Sequence, residues 1–180
     1  TLYSVIKDCN MVIGNMDDTE SDLARTLLGT AWSIRSICYY NLMQRYCEPY
    51  QPETAKETLG LPLVDDFDME AKPARANLKE TAEFIEEGFR KALSYNVSNE
   101  DFIFTSSVTK AYFARFFFWT QNWSNAITYA KEVLEKYPML EADEYVEAIN
   151  QKQAKAHNVI IRSFTMDDDI GTMSYATAQA

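Results

Sequence analysis

The chain has 180 residues, of which 47% are apolar and 13% aromatic, and its 27 acidic residues exceed its 17 basic residues by ten. This length corresponds to one domain, and the aromatic content excludes intrinsic disorder. Five Gly and five Pro are few for a turn-rich sandwich or barrel, so the composition favours helices. The excess of acids argues against a nucleic-acid partner, because DNA and RNA binding needs clustered Lys and Arg.

The cysteine and histidine content argues against a bound metal. The sequence has three cysteines, Cys9, Cys38 and Cys47, without a CxxC motif, and a single histidine, His157. A structural zinc site needs four nitrogen or sulfur ligands at suitable spacing. The sequence therefore predicts buried free thiols and no metal or other cofactor.

No membrane-spanning segment or signal peptide is predicted from the residues present. No apolar run approaches the roughly 20 residues that cross a bilayer. Thr1–Asn10 has no basic start, apolar core or small-residue cleavage site. The acidic balance also disfavours adsorption to an anionic lipid surface.

The first long helix is predicted from Leu23 to about Tyr46. An acidic, cap-rich stretch, Asp17–Asp22, precedes it, and Pro49 and Pro52 end it. Apolar residues recur at steps of three or four on one face: Leu27, Ala31, Ile34, Cys38, Leu42 and Tyr46. A second apolar face predicts packing on two sides: Trp32, Tyr39, Tyr40 and Met43.

A long polar connection, Glu48–Pro73, follows this helix and interrupts the helical pattern. Connections of this length inside a compact domain are commonly functional. The next helix is predicted from Leu78 to Leu93, because Asn77 and Glu80 have the spacing of a capping box.

The remaining pattern predicts three further helices and an all-α fold of four or five helices in antiparallel pairs. Their ranges are Ser107 to about Thr120, Trp123–Tyr137, and about Ala142 to Lys155. The first of these three has an aromatic face: Tyr112, Phe113, Phe116, Phe117, Phe118 and Trp119. Val159–Ile161 is interpreted as a brief strand or buried extended segment, and 166–180 as a loop or tail.

Two of the predicted helices match the tetratricopeptide pattern of about 34 residues. Ala114 and Phe117 take the small and aromatic places of the first helix, and Ala126 and Ala130 are the small residues of the second. Asn122 is expected to shape the turn between the helices. Alanine and aromatic residues at helical spacing also occur in ordinary bundles, so a simple bundle is retained as an alternative.

Four segments in order resemble the SusD/RagB family. They are the long aromatic helix 31–46, the Gly-Leu-Pro-Leu-Val element 60–64, the helix 76–93, and the aromatic helix pair that begins at Thr109. The resemblance implies a tetratricopeptide-like superhelical scaffold. Family members are typically longer, with a signal peptide, a lipidated cysteine and a large C-terminal part. Residues 1–180 are therefore expected to form a single SusD-like helical domain that is a fragment of a longer chain.

The chain departs from the family pattern at three places. Phe84 replaces the usual Tyr, Gly88-Phe89 stands where Asp-Leu is common, and Cys47 follows the closing aromatic where Gly is frequent. These departures leave open the subgroup and the ligand.

The resemblance implies a surface-exposed outer-membrane lipoprotein that binds glycans or other nutrients and has no enzymatic activity. Its expected partners are an oligosaccharide and a SusC-like TonB-dependent transporter, and its expected contact with the membrane is only a lipid anchor that this chain lacks.

The candidate ligand-binding residues are Arg45, Tyr46, Tyr50 and Gln51, because exposed aromatic rings stack on sugars and amides bind hydroxyls. In the alternative interpretation, Tyr46 and Tyr50 only anchor the loop. A tetratricopeptide-like adaptor is the alternative function.

Catalysis is not predicted, and no catalytic residue is assigned. Glycoside hydrolysis needs two opposed carboxylates, and the acids available for it are neighbours on polar segments: Asp65, Asp66, Asp68, Asp167, Asp168 and Asp169. Neither an EF-hand spacing nor a glycine-rich phosphate loop is present.

Overall fold

The computed structural model describes residues 1–17, 21–66, 73–99 and 103–150, together with residue 160. In these parts the chain forms six helices and a two-stranded sheet: α1 (Leu2–Asn15), α2 (Asp22–Tyr46), β1 (Leu59–Pro62), β2 (Arg75–Asn77), α3 (Leu78–Ser94), α4 (Ser106–Trp119), α5 (Trp123–Lys136) and α6 (Ala142–Asn150). Neighbouring helices pack in pairs, with α1 and α3 on α2 and with α4 on α5. The all-α prediction is confirmed.

Helix α1 was not predicted. The Thr1 hydroxyl caps it by accepting a hydrogen bond from the Ser4 backbone N–H at 3.3 Å. Ile6, Cys9 and Asn10 are buried, and they lie on one face because they are three or four residues apart. The expectation of four or five helices was therefore too low for the described residues.

Helix α2 is the centre of the molecule and confirms the predicted range to within one residue. The Ser21 hydroxyl begins it by accepting a hydrogen bond from the Ala24 N–H at 3.1 Å. Because α1 packs on one side and α3 on another, the predicted two-sided packing is also confirmed. Tyr39 and Tyr40 are fully buried, whereas Tyr46 at the end is 66% exposed.

Helix α3 begins with the predicted capping box. The Glu80 N–H donates to Asn77 Oδ1 at 2.8 Å, and the Asn77 N–H donates to Glu80 Oε2 at 3.1 Å. These bonds satisfy two N–H groups that have no partner within the helix. The inner face of α3 buries Ile85 and Phe89 against α2 and α4.

An aromatic cluster joins α3, α4 and α5. The Phe113 ring centroid lies 4.2 Å from that of Phe117, 4.7 Å from that of Tyr129 and 5.1 Å from that of Phe89. Phe116 is also buried here. The aromatic face predicted for α4 is therefore divided, since its C-terminal residues Phe118 and Trp119 are exposed.

The turn between α4 and α5 returns the chain so that the two helices pack on each other. Gln121 has a φ of 62°, an uncommon left-handed conformation for a residue other than glycine. Asn122 Oδ1 then accepts from the Asn125 N–H at 3.3 Å and begins α5, which confirms the role predicted for Asn122. Ala126 packs against the core cluster.

The small sheet was missed by the sequence interpretation. Strands β1 and β2 are antiparallel and pair Leu59 with Asn77. The sheet is fixed to α3 because the Leu61 N–H donates to Thr81 Oγ1 at 3.0 Å. Part of the predicted long connection is therefore ordered into a hairpin beside the end of α2.

Some sequence predictions concern residues outside the described parts of the chain. They are Asp68, the end of the fifth predicted helix at 151–155, His157, residues 159 and 161 on either side of Ile160, Asp167–Asp169 and the 166–180 tail. Helix α6 packs on no other described element. The prediction of a single domain stays a prediction.

Candidate ligand-binding site

The four predicted site residues surround the C-terminal end of α2, but they do not share one pocket. Arg45 and Tyr46 line a cavity between α1, α2 and the sheet. Tyr50 lines a smaller cavity on another side of the chain end. Gln51 lines neither of these two cavities. All four residues lie at or just after the end of α2, but they fall into two separate groups, and their role in ligand binding stays a prediction.

The larger of these cavities, here called the α2–β1 pocket, has a volume of about 610 Å³. Its lining combines apolar side chains, tyrosine rings and guanidinium groups: Thr1, Leu2, Tyr3, Leu42, Arg45, Tyr46, Leu61, Pro62 and Arg75. A concave, mostly apolar surface with a few polar groups is the usual form of a small-molecule site.

Arg75 fixes the sheet against the end of α2. Its Nε donates to the Gly60 carbonyl at 2.7 Å, and its Nη2 donates to the Tyr46 carbonyl at 3.4 Å. Gly60 is required here because a Cβ atom would collide with Thr81 Oγ1 and with the Asn77 carbonyl. The shape of the pocket therefore depends on a glycine and an arginine that sequence reasoning did not select.

Tyr3 forms the wall of the pocket opposite α2. Its hydroxyl donates to the Pro62 carbonyl at 3.0 Å. Burial raises the pKa of Tyr3, and the neighbouring Cys47 raises it further while Arg75 lowers it. At neutral pH the phenol is therefore a neutral donor that holds β1 in place.

The smaller cavity, here called the Trp119 pocket, has a volume of about 190 Å³. It lies between the end of α2, the following loop and the end of α4, and is lined by Met43, Gln44, Cys47, Glu48, Pro49, Tyr50 and Trp119. Tyr50 also packs against the hydrophobic core. Its ring therefore packs on the core and also lines the cavity, so the structure is compatible with both the binding and the anchoring interpretation of Tyr50.

Gln121 connects the α4–α5 turn to this loop. Its Nε2 donates to the Tyr50 carbonyl at 2.9 Å and to Gln51 Oε1 at 3.1 Å. The side-chain oxygen of Gln51 thus already accepts a hydrogen bond from within the protein. Sequence reasoning missed Gln121 and Trp119 as site residues, although the aromatic run of α4 was a signal for Trp119.

A third cavity of about 720 Å³ lies between α1, α2 and α3, and Trp32, Lys91 and Tyr95 are among its lining residues. On the core side of Trp32, the Arg35 guanidinium carbon lies 4.1 Å from the ring centroid, and Arg35 Nη1 donates to Asn10 Oδ1 at 2.9 Å. Arg35 therefore links Trp32 on α2 to Asn10 on α1. None of the predicted site residues lines this cavity.

The expectation of buried thiols is confirmed for Cys9 and Cys38, whereas Cys47 is half-buried. Burial raises the pKa of all three, to about 11 for Cys9. In the described residues, no group of three or more His, Cys, Asp and Glu side chains is placed to hold a metal. Asp65 and Asp66 lie exposed on one segment.

Cys47 is expected to react with iodoacetamide at pH 8 before the other two thiols. The thiolate is the reactive form, and only Cys47 of the three has a partly exposed side chain. Peptide mass spectrometry over a time course would measure the order, with a denatured sample as the control in which all three react alike. Earlier labelling of Cys9 or Cys38 would contradict the packing of α1 on α2.

The described residues form a scaffold of paired helices with open pockets that tyrosine and tryptophan side chains help to line. A family model named SusD-like_3, described as "Starch-binding associating with outer membrane", matches residues 1–118. That match covers more than half of the 180 residues. The chain belongs to this SusD-like family.

Three solved structures share the fold. A SusD superfamily protein from Bacteroides thetaiotaomicron has a TM-score of 0.71 and 20% identity over 82% of this chain and 34% of its own. A SusD-like carbohydrate binding protein from Bacteroides vulgatus has a TM-score of 0.67 and 21% identity over 80% of this chain and 32% of its own. A laminarin binding SusD-like protein has a TM-score of 0.59 and 14% identity over 78% of this chain and 30% of its own.

The chain spans about one third of the length of the solved structures that it matches. No curated protein shows significant sequence similarity to it. Among the described residues, none of the helices is long and apolar enough to cross a bilayer.

Proposed function

We propose that this protein is a cell-surface glycan-binding protein that works with a TonB-dependent outer-membrane transporter in nutrient uptake. The family match over residues 1–118 is the observation that carries this proposal, and the laminarin-binding relative is consistent with it. In this function the protein captures and passes on its ligand and has no catalytic step. Its proposed place is the outer membrane, where a lipid anchor would hold it.

The α2–β1 pocket is the proposed site of glycan contact in this chain. Tyr46 is 66% exposed at its rim, and Leu42 and Leu61 supply apolar surface beneath it. Sugars present C–H faces that pack on aromatic rings, while their hydroxyl groups need polar partners. Tyr50 and Gln51 contribute to the site through the adjoining loop, which Gln121 holds in place.

Replacing Tyr46 by Ala is expected to weaken glycan binding about fivefold, because the lost stacking surface contributes about 1 kcal/mol. The measurement is affinity electrophoresis of the full chain through gels that contain starch, laminarin or pectin. The matched control is Tyr145→Ala, since Tyr145 is 53% exposed on α6, away from the pocket. Equal retardation of the two variants would contradict the assignment of Tyr46, and no retardation by any glycan would contradict the proposed function.

A second candidate, a tetratricopeptide-like adaptor, is favoured by the outer side of α5. Of this helix only Val133 is buried, whereas Trp123, Ile127 and Leu134 are 53%, 55% and 45% exposed. Helical repeats use exposed faces to bind other proteins. The glycan gels separate the two candidates, because an adaptor would leave every glycan unbound.

A further inference from the structure

The α2–β1 pocket is basic in a chain that is strongly acidic. Among the described residues, its lining includes Arg45 and Arg75 and no aspartate or glutamate, although the whole chain has a formal net charge of −10. A concave, low-dielectric surface focuses the field of such charges and raises the local concentration of opposite ions. The pocket therefore favours a ligand that carries negative charge.

The two arginines differ in what they contact. Arg75 donates to the carbonyls of Gly60 and Tyr46, and a cation at the C-terminal end of a helix is also favoured by the helix dipole. Arg75 thus has a structural role. Arg45 is exposed, and no hydrogen bond or ion pair joins it to another residue in the described parts of the chain. Its guanidinium can meet a ligand without breaking an existing contact.

The rest of the lining suits a sugar better than a small inorganic anion. Tyr46 follows Arg45 at the rim, and Leu42, Leu61 and Pro62 form an apolar surface beside it. A cavity of about 610 Å³ has room for more than one monosaccharide unit, whereas an isolated phosphate or sulfate would leave the ring and the apolar surface unused. A ligand that combines sugar C–H faces with a charged group would use all of these features.

We infer that the α2–β1 pocket binds an acidic saccharide, a sugar chain with uronic acid units, through the Arg45 guanidinium and the Tyr46 ring. A guanidinium offers two parallel N–H donors that match the two oxygens of a carboxylate. Arg75 holds β1 and the last turn of α2 around the site. This inference rests on the proposed glycan-binding function and narrows the ligand to one charge class.

The test is isothermal titration calorimetry of the full chain with three ligands: tetragalacturonate, its fully methyl-esterified form and maltotetraose. The methyl ester keeps the sugar chain and removes the charge. The variant is Arg45→Gln, and the matched control is Arg25→Gln, because Arg25 is an exposed arginine near the opposite end of the same helix. Circular dichroism would verify that both variants retain the helix content of the parent chain.

Tetragalacturonate is expected to bind more tightly than its methyl ester or maltotetraose and to lose affinity as salt is added. Arg45→Gln should weaken its binding about tenfold, since one charged hydrogen-bonded contact is lost, while Arg25→Gln should change it less than twofold. Equal affinity for the acid and its ester, or equal effects of the two variants, would overturn the inference.

The failure of this inference is distinguishable from failure of the proposed function. If maltotetraose or the ester binds as well as the acid and Tyr46→Ala weakens that binding, glycan capture stands and the charge preference is wrong. If none of the three ligands binds, the inference is overturned, and the gels with starch, laminarin and pectin decide the proposed function independently.

Discussion

Replacing Phe113 by Ala is expected to lower the free energy of unfolding by about 3–5 kcal/mol. Phe113 is fully buried, and its ring contacts those of Phe89, Phe117 and Tyr129 from three different helices. Its removal leaves a cavity that these rigid neighbours can fill only in part. The loss is a large share of the roughly 5–15 kcal/mol that stabilises a typical domain.

Phe118→Ala is the matched control for this change, because Phe118 lies on the same helix and is 60% exposed. It contacts Trp123 edge to face, so a loss of less than about 1 kcal/mol is expected. Urea denaturation followed by circular dichroism would measure both variants. Equal losses would mean that the aromatic cluster does not form the core between α3, α4 and α5.

Replacing Gly60 by Ala is expected to lower the free energy of unfolding by about 2–3 kcal/mol. The added methyl group would meet Thr81 Oγ1 and the Asn77 carbonyl, and the carbonyl belongs to backbone that starts α3 and cannot easily move. Relief of the clash would shift β1 away from α3 and weaken the bond from Arg75 to the Gly60 carbonyl. Ligand affinity at the α2–β1 pocket should therefore fall together with stability.

Gly14→Ala is the control for this substitution and is expected to have the opposite sign. Gly14 lies within α1, and a Cβ atom there would have nothing within 4 Å. Alanine is favoured over glycine inside a helix by about 0.5–1 kcal/mol, so the melting temperature should rise. A drop in stability for Gly14→Ala, or none for Gly60→Ala, would contradict the packing described for the two glycines.

The helices that could be predicted from the sequence are those whose signals are local. The apolar spacing of α2 and the Asn77–Glu80 capping box lie within a few residues of the structure that they specify, so the range and the start of these helices were correct. Helix α1 has the same kind of spacing in Leu2, Ile6 and Cys9. The helix has only 14 residues, so the pattern repeats too few times to be a clear signal. Its single cap, Thr1, is a weak signal.

The candidate site was predictable only where it follows from adjacency along the chain. Arg45 and Tyr46 lie together because they are consecutive residues at the end of α2. The contacts that complete the two pockets join distant segments: Arg75 with Gly60, and Gln121 with Tyr50, which are 71 residues apart. No local pattern encodes such pairings, so the separation of Tyr50 from Tyr46 could not be seen in the sequence.

The backbone of the segment after β1 is anchored by side chains from α1 and α2. The Tyr39 hydroxyl both accepts from the Val64 N–H at 2.8 Å and donates to the Val64 carbonyl at 3.1 Å. Asn10 Nδ2 donates to the same carbonyl at 2.9 Å. The Tyr39 hydroxyl thus makes the two backbone hydrogen bonds that a neighbouring strand would otherwise make with Val64. Because these bonds reach the backbone of residue 64, any side chain except proline can replace Val64 without removing them, so this position can diversify during evolution while the segment keeps its path.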